Sequence, residues 1–536
     1  MIKSGHVDTF ARDNLPPLKA WPDFIGLEDL AYPDRLNVAT ELIDRHVLEG
    51  RGDRIALLGD GVAWTFETLA KIVNKLANLL VANGLVPGNR VLLRSANSPM
   101  MAAFYFAILK AGGVVVATMP LLRAKELGTM LDKAKVGLAV CDAKLSAEMV
   151  TAATSRGTKV IHFGIPAFEG ELASHSDAFT ACDTANDDVC LIGFTSGTTG
   201  VPKGTMHFHR DVLAICDCYG AKVLRASPDD RFIGSPPLAF TFGLGGLVLF
   251  PWRIGAAAIL LEKVAPDDLL PAIAVFKATV LFTAPTAYRA MLSAMDHHDT
   301  GSLRICVSAG EALPRATFDA FKAKTGITIL DGIGATEMLH IFIGAPLEKV
   351  RPGATGLPVP PYQARVIDAD GHECPAGTPG RLAVRGPTGC RYLADPRQAE
   401  YVQNGWNITG DTYIRDSEGY FWYQARSDDM IISAGYNIAG PEVEAGLLTH
   451  PSVAEAGVVA APDPERGQIA KAYVVLAEGV APEPSLVRTL QDHVKAQVAP
   501  YKYPRAIAFV DALPRTETGK LQRFALRQRA SAEAAA

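Results

Sequence analysis

Short apolar runs alternate with helix-patterned segments between residues 55 and about 165, and this alternation limits the possible folds more than any other feature of the chain. Thr65 is a suitable cap for a helix whose apolar positions recur at helical spacing, and Gly84 ends it. Ser98 and Pro99 open a second helix. Strands are predicted at 90–94, 114–117, 138–141 and 160–163. This repeated βα order predicts an α/β fold with a largely parallel sheet covered by helices.

The character of the chain changes after about residue 350. Residues 350–425 contain short β-rich pieces separated by Gly and Pro turns, which is typical of a small barrel or antiparallel sheet. After Arg426 two strands, Ala456–Ala460 and Ala472–Leu476, and an amphipathic helix indicate a separate α+β unit. The 536 residues also exceed the size of one compact core. We therefore predict a large N-terminal domain over residues 1–426, built from βα-layered sheets plus a small β-barrel-like part, and a small mobile α+β lid domain over residues 427–536.

Composition excludes some classes of protein. A net charge of -5 and a pI near 6.2 give no reason to expect nucleic acid as a partner. Two apolar stretches, 100–119 and 238–261, contain Lys110 and Arg253, so buried helices and strands are a better interpretation than membrane spans. We expect a cytoplasmic protein with reduced, mostly buried cysteines. The closely spaced Cys216 and Cys218 could suggest a metal-ligand pair, but no second pair accompanies them.

The segment with the clearest chemistry is 195–204, Thr-Ser-Gly-Thr-Thr-Gly-Val-Pro-Lys-Gly, which follows an apolar strand. Its glycines allow tight turns that expose backbone N–H groups, its hydroxyl side chains add donors, and Lys203 adds a positive charge. Such a loop suits a polyphosphate. It differs from the common P-loop because Pro202 precedes the lysine and Gly204 follows it. The alternative is a flexible surface linker, which the ten consecutive residues of this type disfavour.

This run resembles the signature loop of the adenylate-forming superfamily, which includes acyl-CoA synthetases, peptide-synthetase adenylation domains and luciferases. Four further segments resemble the motifs of this family in the same order: Gly334-Ala-Thr-Glu337, Thr409-Gly-Asp411, Arg426-Ser-Asp-Asp429 and Pro514-Arg-Thr-Glu-Thr-Gly-Lys520. Each has an unremarkable alternative when taken alone, such as a turn cap at Asp411 or a surface lysine at Lys520. The resemblance covers residues 40–525, and the order of five motifs argues against chance.

The resemblance implies that ATP and the acid bind to the domain over residues 1–426 and that the lid domain over residues 427–536 carries the catalytic lysine. It also implies roles for individual residues. Lys520, Thr336 and Glu337 would be catalytic, Glu337 would hold Mg²⁺, Asp428 would be the hinge between domains, and Gly435 would lie on the path of coenzyme A. The residues that would bind ATP are Thr195, Ser196, Gly197, Thr198, Thr199, Gly200, Lys203, Gly310, Glu311, Ala312, Asp331, Gly332, Asp411 and Arg426. Two departures, Ala425 where many relatives have Gly and Ser433 where lysine is frequent, concern the coenzyme A half of the reaction.

Two segments, 308–314 and 331–342, resemble the benzoate-CoA ligase branch, and segments 236–246 and 429–444 resemble 2-aminobenzoate-CoA ligases still more closely. The acid pocket implied by this resemblance is lined by Phe240, Thr241, Phe242, Ala309, Gly334, His340 and Ile341. Thr241 and His340 are candidate partners for a ring amino or hydroxyl group. The alternatives are that the two phenylalanines belong to the core and that His340 is an ordinary buried histidine. His207 and His209 are interpreted as structural or orienting residues.

The predicted activity is that of an ATP-dependent acid-CoA ligase. A carboxylate and ATP would give acyl-AMP and pyrophosphate, and coenzyme A would then give the thioester and AMP, with 2-aminobenzoate or benzoate as the substrate. The expected partners are this small acid, ATP, Mg²⁺ and coenzyme A, without nucleic acid or membrane, and a homodimer is an option that the family suggests. The alternatives are an aliphatic acyl-CoA synthetase, a stand-alone adenylation enzyme that serves a carrier protein, and an inactive ATP-binding module.

Overall fold

The computed structural model describes residues 2–59, 61–195, 202–426, 429–433, 436–463, 466–498, 502–515 and 520–535. Seven of the predicted site residues lie outside these ranges: Ser196, Gly197, Thr198, Thr199, Gly200, Asp428 and Gly435.

The predicted βα alternation forms a six-stranded sheet. Its strands, in spatial order, are Lys159–Phe163, Leu138–Asp142, Arg90–Arg94, Val114–Thr118, Val189–Thr195 and Lys203–Phe208. Neighbouring strands are parallel except the last pair, which is antiparallel and flanks the signature loop. The prediction of a largely parallel sheet is therefore confirmed, and its reversed edge carries the phosphate-loop motif.

A second, nine-stranded sheet packs beside the first. Its strands, in spatial order, are Leu357–Pro358, Ile341–Gly344, Ile329–Gly334, Ile305–Ser308, Val280–Thr283, Arg231–Gly234, Ala257–Ile259, Ile55–Gly59 and Val62–Thr65. The six strands from Ile329–Gly334 to Ile55–Gly59 are parallel, and the three at the two edges are antiparallel. One apolar cluster contains residues of both sheets and of the helices Phe66–Ala82 and Pro99–Lys110. These two helices therefore occupy the interior of the large domain.

Local signals set the ends of these helices as predicted. Thr65 accepts a hydrogen bond from the Thr68 amide at the start of the first helix, and Ser98 accepts one from the Met101 amide at the start of the second. Lys110 is 3% exposed, and its Nζ donates to Asp44 Oδ1 at 2.7 Å, which explains a charge inside this apolar stretch. Within the described ranges, no helix is both long enough and apolar enough to cross a bilayer.

Most of the remaining helices cover the sheets. The α-helices are Phe10–Asp13, Leu27–Leu30, Arg45–Leu48, Ala124–Ala134, Ser146–Thr154, Pro166–Ser174, His209–Ile215, Thr241–Leu244, Phe250–Ile254, Pro266–Phe276, Pro285–Ala294, Arg315–Thr325, Gln398–Tyr401, Gly440–Leu448, Pro484–Lys495 and Arg523–Ala535. Thr40–Asp44, Cys216–Leu224 and Gly245–Leu249 are π-helical. Short 3₁₀ turns occupy Leu18–Ala20, Ala143–Leu145, Met295–His297, Thr336–Met338 and Leu347–Lys349. Cys216 and Cys218 are buried in this framework, as expected for cysteines that pack in the core.

The β-rich segment after residue 350 forms a five-stranded antiparallel sheet. Its strands are Gln363–Ile367, Pro379–Arg385, Val402–Gln403, Trp406–Arg415 and Phe421–Arg426. The smaller C-terminal domain contains the hairpin Ile431–Ser433 with Tyr436–Ile438, and a sheet of Val453–Asp463, Gly467–Leu476 and Ala506–Phe509. The large α/β domain and the small α+β domain match the predicted fold class. The exact boundary between residues 426 and 427 stays a prediction, because residues 427–428 lie outside the described ranges.

Candidate active site

The phosphate-loop motif joins two antiparallel strands. Thr195 ends the strand Val189–Thr195 and pairs directly with Lys203, which begins the strand Lys203–Phe208. The pairing brings the two strand ends that flank the motif next to each other. The Lys203 side chain extends from this fixed position over the ring of Tyr392, with Nζ 4.8 Å from the ring centroid.

The second motif forms a short 3₁₀ turn, Thr336–Met338, beside these strands. A Cβ added to Gly193 would lie 2.8 Å from Thr336 Cγ2, so glycine permits this close approach. The Thr336 carbonyl oxygen lies 2.7 Å from His207 Nε2. His207 therefore contacts the backbone of the turn, which agrees with the structural or orienting role expected for it. Glu337 is buried, and its Oε1 lies 3.8 Å from Lys203 Nζ.

Asp411 and Arg426 face each other on adjacent strands. Their register pairs them directly, and the Arg426 guanidinium donates to Asp411 Oδ1 at 3.3 Å. Burial raises the pKa of Asp411, and the neighbouring guanidinium opposes this effect. The sequence motifs placed these two residues 15 positions apart, and the strand pairing brings them together.

Lys520 reaches this group from the C-terminal domain. A Cβ at Gly310 would lie 3.6 Å from Lys520 Cε and 3.9 Å from Nζ, so the lysine lies against a predicted ATP-binding residue. The pKa of Lys520 is lowered overall, because removal of its ammonium group from bulk water disfavours the charged form. Glu311 and Asp411 oppose this shift, and Arg426 adds to it. The lysine side chain nevertheless keeps part of its surface exposed. The candidate catalytic lysine and the candidate ATP-binding residues Asp411 and Arg426 thus share one site.

Four of the predicted ATP-binding residues lie on or just after two adjacent strands. Gly310 and Ala312 are exposed after the strand Ile305–Ser308, and Asp331 and Gly332 belong to the neighbouring strand Ile329–Gly334. Burial raises the pKa of Asp331 to about 8, so its carboxyl is mostly protonated at pH 7. Ligand sites at the carboxyl ends of parallel strands are common in α/β proteins.

Phe242 and Gly334, two of the predicted acid-pocket residues, lie beside His340, which is 2% exposed. Its ring lies 5.7 Å from that of Phe242, and Nε2 lies 3.4 Å from the Phe242 carbonyl oxygen. A Cβ at Gly334 would lie 2.8 Å from the His340 carbonyl carbon. Ile341 and Ala309 are buried nearby in the same apolar cluster.

Phe240 and Thr241 lie apart from the group around His340. Both are half-buried at the start of the helix Thr241–Leu244 and line a small cavity with Gly193, Tyr105 and Leu238. Since Gly193 contacts Thr336, the cavity adjoins the second motif. Phe240 and Thr241 therefore border the region between the motif and the pocket and do not join the aromatic group around His340.

Sequence reasoning missed one residue at the centre of the site. Tyr392 Oη accepts a hydrogen bond from Lys203 Nζ at 2.9 Å and donates one to Glu337 Oε1 at 2.5 Å. It is separated from Glu337 by 55 positions and from Lys203 by 189. Its segment, Gly-Cys-Arg-Tyr, has no pattern that would indicate a functional residue, so no signal within one sequence could have identified it.

Glu337 has the properties of a Mg²⁺ ligand. A carboxylate oxygen is the hard donor that Mg²⁺ takes from proteins beside substrate phosphates, and both protein contacts described for Glu337 fall on Oε1 and do not involve Oε2. One other group of potential ligands occurs among the described residues: Asp368, Asp370 and His372. All three are exposed, and Asp368 accepts hydrogen bonds from the backbone of the other two, so the group is accounted for as a turn.

Two family profiles match the chain. AMP-binding enzyme matches residues 44–392, and AMP-binding enzyme C-terminal domain matches residues 442–520. Among curated proteins, the chain is 36% identical over 511 residues to the benzoate–CoA ligase of Thauera aromatica, which covers 93% of this chain and 97% of the relative.

Solved structures agree with these matches. The anthranilate CoA ligase AuaEII in complex with anthranoyl-AMP is similar with a TM-score of 0.91 and 34% identity, covering 96% of this chain and 100% of the other. A benzoate CoA ligase from Burkholderia xenovorans LB400 has a TM-score of 0.85 and 33% identity, covering 92% and 100%. The chain therefore belongs to the AMP-binding enzyme family and, within the adenylate-forming superfamily, to the benzoate-CoA ligase branch of AMP-forming acid-CoA ligases.

Proposed function

We propose that this ligase activates an aromatic carboxylic acid, either 2-aminobenzoate or benzoate, and transfers it to coenzyme A. The supporting observation is the aromatic group around His340, whose ring lies 4.6 Å from Phe250, 5.5 Å from Tyr219, 5.7 Å from Phe242 and 6.5 Å from Phe282. Flat aromatic surfaces beside glycines favour a short, planar ligand. The named relatives act on benzoate and anthranilate, which points in the same direction.

The state of His340 favours a ring that carries a hydrogen-bond donor. Burial lowers its pKa to about 3, so the imidazole is neutral at pH 7. A carbonyl can only accept, and the contact with the Phe242 oxygen therefore requires the proton on Nε2. Nδ1 then presents a buried lone pair that has no donor among the residues of known placement. A ring amino group would supply that donor, and this supports 2-aminobenzoate over benzoate.

In the first half-reaction of this proposal, a carboxylate oxygen attacks the α-phosphorus of ATP and pyrophosphate leaves. Two anions must approach each other, so positioning and charge neutralisation are the main catalytic needs. Lys520 would contact the acid and α-phosphate oxygens where negative charge develops. Lys203 and the loop 195–201 would hold the leaving phosphates, and Asp411 would bind the ribose hydroxyls. Bound Mg²⁺, held by Glu337, would screen the phosphate charge.

In the second half-reaction, the thiol sulfur of coenzyme A attacks the acyl carbon, the thiol proton is released to solvent, and AMP leaves with the electron pair of the carbon–oxygen bond. The thiol must reach the carbonyl group that Lys520 faces during the first step. The small domain would therefore rotate about Asp428, withdraw Lys520 and bring Gly435 to the coenzyme A path, which is a hinge-type rearrangement around a fixed site.

A substrate panel tests the proposal. Purified protein is incubated with Mg-ATP and coenzyme A against 2-aminobenzoate, benzoate, hydroxybenzoates, acetate and octanoate, and AMP release and thioester mass are measured. We expect the largest kcat/KM for 2-aminobenzoate, then benzoate, with turnover dependent on coenzyme A. Turnover with octanoate or acetate alone would assign an aliphatic acyl-CoA synthetase and reject the aromatic pocket. AMP release without thioester, followed by transfer to a carrier protein, would assign a stand-alone adenylation enzyme.

A further inference from the structure

Tyr392 stands between two residues that the proposed function assigns to the ATP phosphates and to Mg²⁺. Lys203 Nζ lies 2.9 Å from Tyr392 Oη, and Oη lies 2.5 Å from Glu337 Oε1, while the direct Lys203–Glu337 separation is 3.8 Å. We propose that Tyr392 is a positioning residue that keeps Lys203 and Glu337 apart and aims each of them at the polyphosphate. This inference rests on the roles of Lys203 and Glu337 in the proposed function, but not on the identity of the acid.

The backbone around Tyr392 holds its ring in place. Its amide donates to Gln398 Oε1 at 2.9 Å, and the residue makes a β-bridge to Thr205, two positions after Lys203. The side chain is 1% exposed, and its ring packs against Tyr401 with centroids 5.8 Å apart. The hydroxyl position is therefore determined by the fold and does not depend on bound ligand.

The preceding residue, Arg391, also holds this segment in place. Arg391 is fully buried, and its guanidinium pairs with Asp211 and also donates to the Met206 carbonyl oxygen at 3.3 Å. Asp211 Oδ2 also lies 3.7 Å from His207 Nδ1, and His207 Nε2 contacts the Thr336 carbonyl oxygen. One buried carboxylate therefore connects the segment of Tyr392 to the turn that carries Thr336 and Glu337.

The direction of the hydrogen bonds follows from charge. A tyrosine hydroxyl, whose ordinary pKa is about 10, keeps its proton at neutral pH. An ammonium group can only donate and a carboxylate can only accept. The single proton of Oη is consequently directed at Glu337, and a lone pair of Oη is directed at Lys203. No other neutral side chain of similar size offers both functions at this distance from the backbone.

Loss of the hydroxyl would change the geometry of the charged pair. Opposite charges 3.8 Å apart in a site of low dielectric attract strongly, and with no hydroxyl between them the flexible lysine would move onto the carboxylate. Lys203 would then be withdrawn from the phosphates, and a Glu337 oxygen would be occupied by the ammonium group. Both changes weaken binding of Mg-ATP, and neither affects an acyl-AMP whose pyrophosphate has already left.

Tyr392→Phe tests this inference, and Tyr401→Phe is the matched control. Tyr401 also lies near the lysine side chain, with Nζ 5.9 Å from its ring centroid, but its buried hydroxyl has no hydrogen-bond partner among the described residues. Mg-ATP binding is measured by calorimetry without any acid present, and the Mg²⁺ concentration for half-maximal pyrophosphate release is measured separately. For Tyr392→Phe we expect about ten- to one-hundred-fold weaker Mg-ATP binding and a higher Mg²⁺ requirement. Transfer from supplied acyl-AMP should change less than two-fold, about the limit of kinetic resolution.

Three results decide the matter. Mg-ATP affinity of Tyr392→Phe within two-fold of the parent protein, about the resolution of such measurements, would overturn the inference, as would equal weakening by Tyr401→Phe. The calorimetric stoichiometry reports the folded fraction, so partial unfolding does not obscure the affinity of the folded protein. A Lys203→Met, Tyr392→Phe double mutant completes the cycle: additive losses would overturn the inference, because a residue that acts through Lys203 must be non-additive with it. Failure of the aromatic-acid proposal would leave this binding result intact.

Discussion

At the scale of single residues, the proposed role of Lys520 requires its positively charged form, whereas its environment disfavours that form. Removal from bulk water lowers the pKa of Lys520, and the negative charge of Glu311 partly offsets this effect. A lysine in such a place can lose its proton more readily than one on the surface, yet the proposed chemistry needs the ammonium form. Glu311 is itself affected, since burial raises its pKa and Arg515 and Lys520 oppose that shift.

Replacing Lys520 should separate the two half-reactions. For Lys520→Ala we expect acid-dependent pyrophosphate release to fall by about 10²–10³, the usual cost of removing a donor aimed at developing charge. Transfer of the acyl group from supplied acyl-AMP to coenzyme A should stay close to the parent rate. Lys495→Ala, which removes an exposed lysine paired with Asp492, is the control. Equal loss of both half-reactions would reject the assigned role.

The same environment predicts a pH dependence. Because the pKa of Lys520 is lowered, this lysine loses its proton at a lower pH than an exposed lysine, whose pKa is about 10.4. The adenylation rate should therefore begin to fall at a correspondingly lower pH. Glu311→Gln removes an effect that raises this pKa, so the decline should begin at a still lower pH. The measurement is pyrophosphate release from pH 7 to 10. A profile that Glu311→Gln does not shift, or shifts upward, would contradict the electrostatic coupling.

His340 should discriminate between substituted rings. His340→Phe keeps an aromatic ring in the pocket but removes the buried lone pair at Nδ1. An unmade hydrogen bond to a buried donor costs about 1–3 kcal/mol, so kcat/KM for 2-aminobenzoate should fall about five- to one-hundred-fold relative to that for benzoate. The ratio of the two values, measured side by side, is the test. A proportional loss for both acids would show that His340 only supports packing.

Local and distant contacts differ in how well the sequence revealed them. Lys520, Asp411 and Arg426 stand in recognisable motifs, and the structure brings them together. Tyr392 stands in no such motif, because its significance comes from a hydroxyl that meets Lys203 and Glu337 only after three separate segments have folded. Neither secondary-structure propensity nor hydrophobic spacing predicts these contacts.

At the scale of elements, sequence reasoning succeeded where a short-range signal decides the outcome. The caps at Thr65 and Ser98 were predicted, because each side chain bonds an amide three residues ahead. The strand predicted from Ala456 to Ala460 extends instead over Val453–Asp463, since its ends are set by pairing with Gly467–Leu476. Strand order was not predictable, because it depends on pairings between segments that are far apart in the chain.

The π-helical segment Gly245–Leu249 offers a test of the acid pocket at this scale. A Cβ at Gly245 would lie only 2.3 Å from His340 Cδ2, so Gly245→Ala must displace the imidazole ring. Displacement by about 1 Å can cost 10²-fold in rate, and kcat/KM for the aromatic acid should fall by about that factor. Mg-ATP binding should be unchanged. Gly446→Ala, where the nearest atom would be 3.6 Å away, is the control, and weaker Mg-ATP binding in Gly245→Ala alone would place the defect outside the pocket.

At the scale of the whole molecule, the structure holds the two domains in one arrangement. Arg289 of the large domain donates to the Val453 carbonyl oxygen of the small domain at 3.3 Å, and Lys520 lies beside Gly310. This arrangement suits the first half-reaction, since the lysine faces the proposed ATP site. The sequence could not have specified it, because the same motifs must serve both the closed arrangement and the rotated one that we propose for the second half-reaction.

Arg515 makes the interdomain ion pair best suited to a test of this scheme. Its guanidinium lies 3.9 Å from Glu311 in the large domain and 2.6 Å from Glu455 in its own domain. Both partners are partly exposed, and such pairs contribute about 0.2–1 kcal/mol, so Arg515→Gln should populate the closed arrangement up to about five-fold less. Adenylation should slow by that factor, while transfer from supplied acyl-AMP should be unchanged or faster, because it requires the small domain to leave.

Salt provides the check on that interpretation. Raising the ionic strength from about 0.05 M to 0.5 M screens a partly exposed pair, so adenylation by the parent protein should slow toward the rate of Arg515→Gln, and the variant itself should respond less. Arg529→Gln, which breaks a pair with Glu533 inside one helix of the small domain, is the control for loss of charge. If Arg515→Gln slows both half-reactions equally, the contact supports folding of the small domain, and domain closure must depend on other contacts such as that of Arg289.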